Sequence, residues 1–252
     1  LYFHLTHQWN VSAHDPALRW LPGYGVAIDA RPIEGISRNL SAITYDSDLD
    51  RLLGVINGGP TEIVALSKRG ELLERYPLEG FGDIEGLTYM GGGRVAVSDE
   101  RAQRISIFQL PTLARSINVS EARFFSLGIG LNGNKGFEGL AWNPHTQRLL
   151  LAKERDPQGL FELPFPGEDG AVGALKALPS QPLLVRDLSS VTIDPRSGHT
   201  LLLSDESRLL VELDLQGKPR SFIALFGGLN GLVQGIEQAE GAPWTAKATS
   251  MW

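Results

Sequence analysis

The chain has 252 residues, of which 42% are hydrophobic, 21% charged and 8% aromatic, and its formal net charge is −6. This acidic balance argues against nucleic acid or an anionic membrane surface as the main partner. No stretch approaches the ~20 apolar residues that a membrane-spanning helix needs. Cysteine is absent, which excludes disulfides, a thiol nucleophile and a cysteine zinc site. The 29 glycines and 15 prolines favour short strands joined by tight turns over a helical bundle.

Residues 1–22 are predicted to form an N-terminal arm, followed by a single β domain over residues 23–252. The chain starts at Leu1 rather than at a methionine. Removal of a signal peptide or membrane anchor explains this start, and so does an artificial boundary or a fragmentary gene. The arm is therefore compatible with a segment that originally followed such a signal peptide or anchor.

A repeat of about fifty residues organises the domain. Five segments align, and their second positions are Ser41, Glu85, Glu138, Ser189 and Glu240, at spacings of 44, 53, 51 and 51 residues. Each unit continues with a turn, a strongly apolar second strand, a third strand and a closing fourth strand. The second strands are predicted at residues 51–55, 94–97, 148–151 and 200–203. Four short antiparallel strands in each unit are typical of β-propeller blades, so the sequence predicts an all-β, five-bladed β-propeller.

The polar ends of these strands are predicted to meet at the mouth of the central channel. The second strands end with Asn57, Glu100, Glu154 and Glu206. Two residues before each first-strand position stand Asn39, Asp83, Gly136, Asp187 and Gln238. Because the first two strands of a blade are antiparallel neighbours, the start of the first strand and the end of the second lie at the same end of the blade. Crowded carboxylates must be protonated, paired with cations or bound to a metal. Their oxygens suit a hard cation, and calcium better than zinc.

Two alternatives stay open. Arg101, Lys153 and Arg208 lie beside the second-strand glutamates and could neutralise the ring by salt bridges, without any metal. Catalysis is disfavoured but not excluded, because the chain has no Gly-x-Ser-x-Gly motif. His145 and His199 are also predicted at the opposite end of the blades, so no histidine stands near the carboxylates as a general base.

Several runs resemble one known family of bacterial envelope proteins, the SdiA-regulated family, also called YjiK/CarP-like. These runs are residues 39–41, 83–85, 97–101, 136–141, 203–208 and 236–241. The resemblance covers roughly residues 23–241. It implies a five-bladed propeller with a bound calcium ion, an N-terminal anchor or signal, and a part in calcium homeostasis or signalling. On that basis calcium binding is assigned to Glu85, Glu100, Glu138, Glu154, Glu206 and Glu240, without deciding which are direct ligands.

The function expected from these observations is a non-enzymatic, calcium-responsive binding or scaffold protein. We expect a monomer in the periplasm, attached to the inner membrane only through an N-terminal segment, that does not bind nucleic acid. An unidentified protein or small molecule is expected to bind the carboxylate-lined face. One alternative is a calcium-dependent hydrolase of esters, lactones or phosphoesters, and another is a metal-free protein that uses the same face for protein contacts.

Residues 242–252 depart from the pattern, because no second strand follows Gly241. Permitted codons in another frame restore a strand, so we hypothesise that one nucleotide was lost near codon 242. The last blade is then truncated. Residues 25–30, the candidate closing strand, lose their neighbour, and blade four exposes an edge. We expect the chain to be less stable and more prone to aggregation than a frame-restored version, which sequencing of the DNA and comparison of the melting temperatures would test.

Overall fold

The computed structural model describes residues 21–29, 31–37, 40–127, 136–154, 158–165, 174–179, 183, 185–236, 238–243 and 245. Most of the predicted arm, Asn39 and most of the tail over residues 242–252 lie outside these residues. The described part is all-β, with two single-turn 3₁₀ helices at Leu21–Gly23 and Val119–Glu121. Among the described residues, no helix is both long enough and apolar enough to cross a membrane.

The strands form four largely antiparallel sheets, which are four blades of a propeller-like fold. Blade one contains β1 (Leu40–Asp46), β2 (Arg51–Ile56), β3 (Glu62–Leu66) and β4 (Leu72–Glu79). Blade two contains β5 (Ile84–Gly91), β6 (Arg94–Asp99), β7 (Arg104–Gln109) and, after the short β8 (Ile117–Asn118), β9 (Arg123–Ser126). Blade three contains β10 (Phe137–Asn143), β11 (Arg148–Lys153), β12 (Gly159–Pro164) and β13 (Lys176–Ala177). Blade four contains β14 (Ser190–Ile193), β15 (Thr200–Ser204), β16 (Leu209–Leu213) and β17 (Pro219–Ala224).

The hydrophobic core lies between the blades, because each sheet packs face to face on the next. One cluster joins blades one and two, a second joins two and three, and a third joins three and four. The second strands are covered on both faces, which explains why they are continuous apolar runs rather than alternating ones. In β6, for example, Val95, Ala96 and Val97 are all fully buried.

The innermost strands β1, β5, β10 and β14 follow one another around the ring. A repeated hydrogen bond fixes their relative position. The backbone N–H of Tyr89 donates to Thr44 Oγ1 at 3.2 Å, and that of Trp142 donates to Thr88 Oγ1 at 2.9 Å. The same threonine position of one blade therefore accepts from the same position of the next.

The predicted fifth unit is represented by residues 238–243, which contain no strand. Four blades are thus present in the described part of the chain, where the repeat predicts five. The segment nevertheless lies between blade four and blade one. The Ala239 N–H donates to Asp205 Oδ1 at 2.9 Å, and a Cβ atom at Gly241 would lie 3.1 Å from the Ile43 backbone nitrogen.

The structure differs from the sequence-based expectation in two places. The short β8 leaves blade two and pairs in parallel with the outer edge of β4, so blade one gains a fifth strand. Residues 25–29 of the candidate closing strand contain no strand. They lie instead against the loop after β17, where the Val26 N–H donates to the Asn230 carbonyl at 2.9 Å.

Candidate metal centre

Three carboxylates converge where the first two strands of blade two meet. One oxygen each from Asp83, Glu85 and Glu100 lie within 4.8 Å of one another. Asp83 directly precedes β5, Glu85 is the second residue of β5, and Glu100 directly follows β6. The antiparallel register pairs Ile84 with Asp99, which brings the start of β5 to the end of β6. Within blade two, the start of the first strand and the end of the second therefore meet as the repeat predicts.

Asn57 connects blade one to this cluster. Its side-chain Nδ2 donates to Asp83 Oδ1 at 2.7 Å and to Glu85 Oε1 at 2.9 Å, while its Oδ1 accepts from the Gly58 N–H at 2.9 Å. The amide therefore bridges two carboxylates that would otherwise repel each other.

Burial and neighbouring charges strongly affect two carboxyl groups at this end of the ring. Burial raises the pKa of Glu85 to about 7, with a further contribution from the charge of Asp83. Burial also raises the pKa of Glu138, from blade three, to about 8, and the charges of Glu85 and Glu100 add to it. Both groups therefore hold protons at neutral pH for a large part of the time.

The remaining predicted glutamates extend the ring toward blade four. Burial raises the pKa of Glu240, and the nearby charges include those of Asp187 and Glu154. Glu154 also acts on Glu138. The backbone N–H of Glu206 donates to Asp187 Oδ1 at 3.1 Å. Thus Glu85 and Glu100 belong to the compact cluster, whereas Glu138, Glu154 and Glu240 interact with one another through their charges.

The three basic residues that could neutralise the ring differ in position. Arg101 is 84% exposed, and its Nη2 lies 3.8 Å from Asp83 Oδ2. An ion pair this exposed to water contributes little to stability. The Arg208 guanidinium lies over the Phe226 ring, 5.8 Å from its centroid. Lys153 is buried at the end of β11, so of the three it is the one that is withdrawn from water.

The histidines of the blades lie at the other end, as predicted. His145 is in the turn after β10, and His199 precedes β15. His199 Nδ1 is 2.7 Å from Glu212 Oε1, and Glu212 also accepts a hydrogen bond from the Ser221 hydroxyl. This buried network consolidates blade four, and the carboxylate cluster contains no histidine.

Asp83 and Asn57 are the site residues missing from the predicted set of six glutamates. Both occupy recurring polar positions of the repeat, so the signal was present in the alignment. The family resemblance was carried only onto glutamates, whereas proximity brings in an aspartate two residues before Glu85 and an amide from the preceding blade.

The fold and this cluster define an all-β, propeller-like protein with an oxygen-donor site at one end of the ring. The chain belongs to the SdiA-regulated family, whose family model matches residues 16–249. The resemblance seen in the sequence is therefore confirmed.

Three solved structures match this chain at low sequence identity. A protein of unknown function from Bacteroides thetaiotaomicron matches with 11% identity and a TM-score of 0.54, over 80% of this chain and 53% of that one. A virginiamycin B lyase from Staphylococcus aureus matches with 13% identity and a TM-score of 0.45, over 76% and 57%. A gluconolactonase from Xanthomonas campestris matches with 15% identity and a TM-score of 0.45, over 70% and 59%. The matched region thus spans little more than half the length of these proteins.

Proposed function

We propose that this chain is a calcium-binding propeller of the bacterial envelope that acts as a calcium-responsive binding or scaffold protein. The observation that carries the proposal is the convergence of Asp83, Glu85 and Glu100, with one oxygen from each within 4.8 Å. The donor set is made of oxygen atoms, which calcium accepts in flexible numbers and geometries. The other proposed contributors are Glu138, Glu154, Glu206 and Glu240.

The proposed mechanism is ordering of the channel mouth. When bound, the cation supplies the positive charge that offsets the repulsion among the carboxylates. Glu85 lies at the start of β5 and Glu100 directly follows β6, and Asn57 joins Asp83 and Glu85 to blade one. A site shared in this way favours the conformation in which the blade ends are fixed. That face then receives a protein or a small molecule.

We further propose five blades for the complete repeat, a monomeric propeller domain and a periplasmic location with attachment through an N-terminal segment. The position of residues 238–243 between blades four and one supports the fifth repeat unit. The location rests on what the family resemblance implies. Fractionation of cells that express the protein with its native upstream sequence tests it, and recovery only in the cytoplasm would contradict it.

Calorimetric titration of calcium into the chelator-stripped protein tests the cation site. We expect a dissociation constant between about 1 μM and 1 mM and a melting temperature raised by a few degrees at saturating calcium. Asp83→Asn and Glu100→Gln should weaken binding at least tenfold, because each removes one charged ligand. Glu121→Gln removes an exposed carboxylate bonded to Arg115 and should bind like the parent. Absence of both heat and a melting shift would instead favour neutralisation by Lys153.

One observation favours a hydrolase as the second candidate. The pKa of Glu138, about 8, is in the range that suits a general acid or base at neutral pH, and this carboxyl group interacts with the cluster. If the chain is a hydrolase, calcium-dependent turnover of an ester, lactone or phosphoester should disappear in Glu138→Gln while the fold is retained. Lack of turnover across these substrate classes would reject this candidate.

A further inference from the structure

An asparagine followed by a glycine, Asn57–Gly58, stands directly after β2, beside the carboxylate cluster. The backbone nitrogen that follows an asparagine is the nucleophile that converts this residue to aspartate within a chain. Glycine leaves that nitrogen unshielded, because it has no Cβ atom. The dipeptide is therefore chemically suited to a covalent modification that changes the charge of the chain.

The structure brings the two reacting groups together. The Gly58 backbone N–H donates to Asn57 Oδ1 at 2.9 Å, so its nitrogen lies beside the carbonyl group whose carbon it attacks. Gly58 is exposed, and its φ of +89° is in the left-handed region that favours glycine. Asn57 is only 9% exposed, and its hydrogen bonds hold the amide in this orientation. Water thus reaches the nucleophile while the amide stays in place.

The nitrogen that leaves in this reaction points at the carboxylate cluster. Asn57 Nδ2 donates to Asp83 Oδ1 at 2.7 Å and to Glu85 Oε1 at 2.9 Å. Ammonia that departs into neutral water takes up a proton and becomes ammonium. A neighbouring negative charge favours the charged form of such a group. The cluster therefore stabilises the leaving group at the position where it is released.

The reaction has two steps and needs only water. In the first step a bond forms between the Gly58 nitrogen and Asn57 Cγ, the Cγ–Nδ2 bond breaks, and the Gly58 amide proton leaves with the ammonia. A succinimide ring remains. Water then opens the ring at Cγ, which gives aspartate, or at the main-chain carbonyl carbon, which gives isoaspartate. The chain gains one water and loses one ammonia, and nothing is oxidised or reduced.

Blade one differs from the other blades at this position of the repeat. It has an amide where the other second strands are followed by Glu100, Glu154 and Glu206. We propose that Asn57 is a site of deamidation by Gly58, and that the new carboxylate tightens binding at the candidate cation site. Ligand charge is one of the properties that set the affinity of calcium sites. This effect on affinity rests on the proposed function, whereas the modification itself does not.

Peptide mass spectrometry of the whole chain tests the modification, after incubation for several days at mildly alkaline pH in chelator. The peptide that contains residue 57 should gain about 1 Da. It should elute as two species of equal mass, one aspartyl and one isoaspartyl, because the ring opens in two ways. Asn118 is the internal control, since it is also exposed but is followed by Val119, whose branched side chain shields the next nitrogen. Its peptide should keep its mass.

Asn230–Gly231 is another dipeptide of this kind and serves as a comparison within the same sample. Asn230 Nδ2 donates to the Ala224 carbonyl at 2.8 Å, and among the described residues no hydrogen bond joins the Gly231 N–H to the Asn230 side chain. Conversion at Asn230 should therefore be slower than at Asn57. An unchanged mass at residue 57, an aspartyl product without isoaspartate, or faster conversion at Asn230 would overturn the assignment of the modification.

Asn57→Asp measures the effect on the cation site. Calorimetry should show calcium binding about threefold tighter or more. The melting temperature in chelator should fall, because a carboxylate replaces the donor that bridges Asp83 and Glu85. Asn230→Asp adds the same charge on the loop after β17 and should match the parent in both measurements.

Equal calcium affinities of Asn57→Asp and the parent would overturn the effect on the cation site. Absence of calcium binding by both proteins would overturn this effect together with the proposed function. The mass measurement in chelator decides the modification separately, because it does not depend on calcium.

Discussion

At the scale of single residues, two glutamates show how the surroundings set the chemistry of a carboxyl group. Glu138 lies among other carboxylates in the ring, and burial raises its pKa to about 8. Glu121 lies on the surface beside Arg115, and its hydrogen bond with that guanidinium lowers its pKa to about 2. The difference follows from burial and from the sign of the neighbouring charges. Only the first of them can exchange a proton near neutral pH.

The raised pKa of Glu138 predicts a pH-dependent stability. The folded metal-free protein retains protons on Glu85 and Glu138 above pH 4.5, where unfolded glutamates lose them, up to about pH 7 and 8. Stability should therefore fall as the pH rises from about 5 to 8 and then level off, because the folded state binds more protons in that window. Melting temperatures in chelator should drop by several degrees from pH 6 to pH 9.

Glu138→Gln should show a clearly smaller drop, because an amide cannot ionise. Glu121→Gln is the matched control and should keep the full drop between pH 6 and pH 9. Saturating calcium should reduce the drop in the parent protein, since a cation favours the charged carboxylates. Parallel pH curves for the parent and Glu138→Gln would contradict the assignment of the raised pKa.

At the scale of elements, close contacts between innermost strands determine how the blades are spaced. Gly139 in β10 approaches β14 so closely that a Cβ atom would lie 2.7 Å from the Val191 nitrogen and 3.0 Å from the Ser190 carbonyl carbon. Both are backbone atoms, so they cannot move aside as a flexible side chain could. The recurrence of glycine at this repeat position therefore has a steric cause, the approach of one backbone to the next.

Gly139→Ala should destabilise the protein by about 1–3 kcal/mol, the usual range for overpacking in a core. Gly159→Ala is the matched control, because Gly159 also lies in a strand but its Cβ would meet Phe161 only at an ordinary 3.5 Å. The control should stay within about 0.5 kcal/mol of the parent. Urea unfolding in chelator measures the stability of both variants. Equal midpoints would show that blades three and four accommodate the added methyl group without loss of stability.

At the scale of the whole molecule, neighbouring blades complete the surroundings of the candidate cation site. Asn57 comes from blade one, Asp83 and Glu100 from blade two, and the Glu138 carboxyl from blade three adds its charge to them. A change in charge on one blade therefore shifts the pKa values of carboxyl groups on the neighbouring blades. Cation binding should thus be linked both to protonation and to the packing of blade against blade.

Proton release is the expected sign of this linkage. At pH 7, binding of calcium should release roughly one proton per ion, because the pKa values of Glu85 and Glu138 lie near 7 and 8 and a nearby cation lowers both. Calorimetry in two buffers with different ionisation enthalpies measures the number of protons released per calcium ion. Release should become small at pH 9, where both groups are already ionised. Heats that do not depend on the buffer at pH 7 would contradict the linkage.

The strands could be predicted closely because their signals are local. The predicted second strands 94–97 and 148–151 are found as β6 (Arg94–Asp99) and β11 (Arg148–Lys153), each longer by two residues. The short β8 was missed, because a two-residue strand gives no pattern and its partner β4 is distant in sequence. The blade count differs for a similar reason: the fifth alignment at Glu240 identifies a repeat position, but strand formation there needs a partner.

The amino-acid sequence by itself determined the all-β class, the repeat, the family and the end of the ring at which the carboxylates meet. Those properties follow from apolar runs and polar spacings that recur along the chain. Tertiary structure decided which oxygens approach one another: Asp83 joins Glu85 and Glu100, and Asn57 reaches them from another blade. Distances between blades depend on packing across the ring, and packing is not encoded in the spacing of residues along one chain segment.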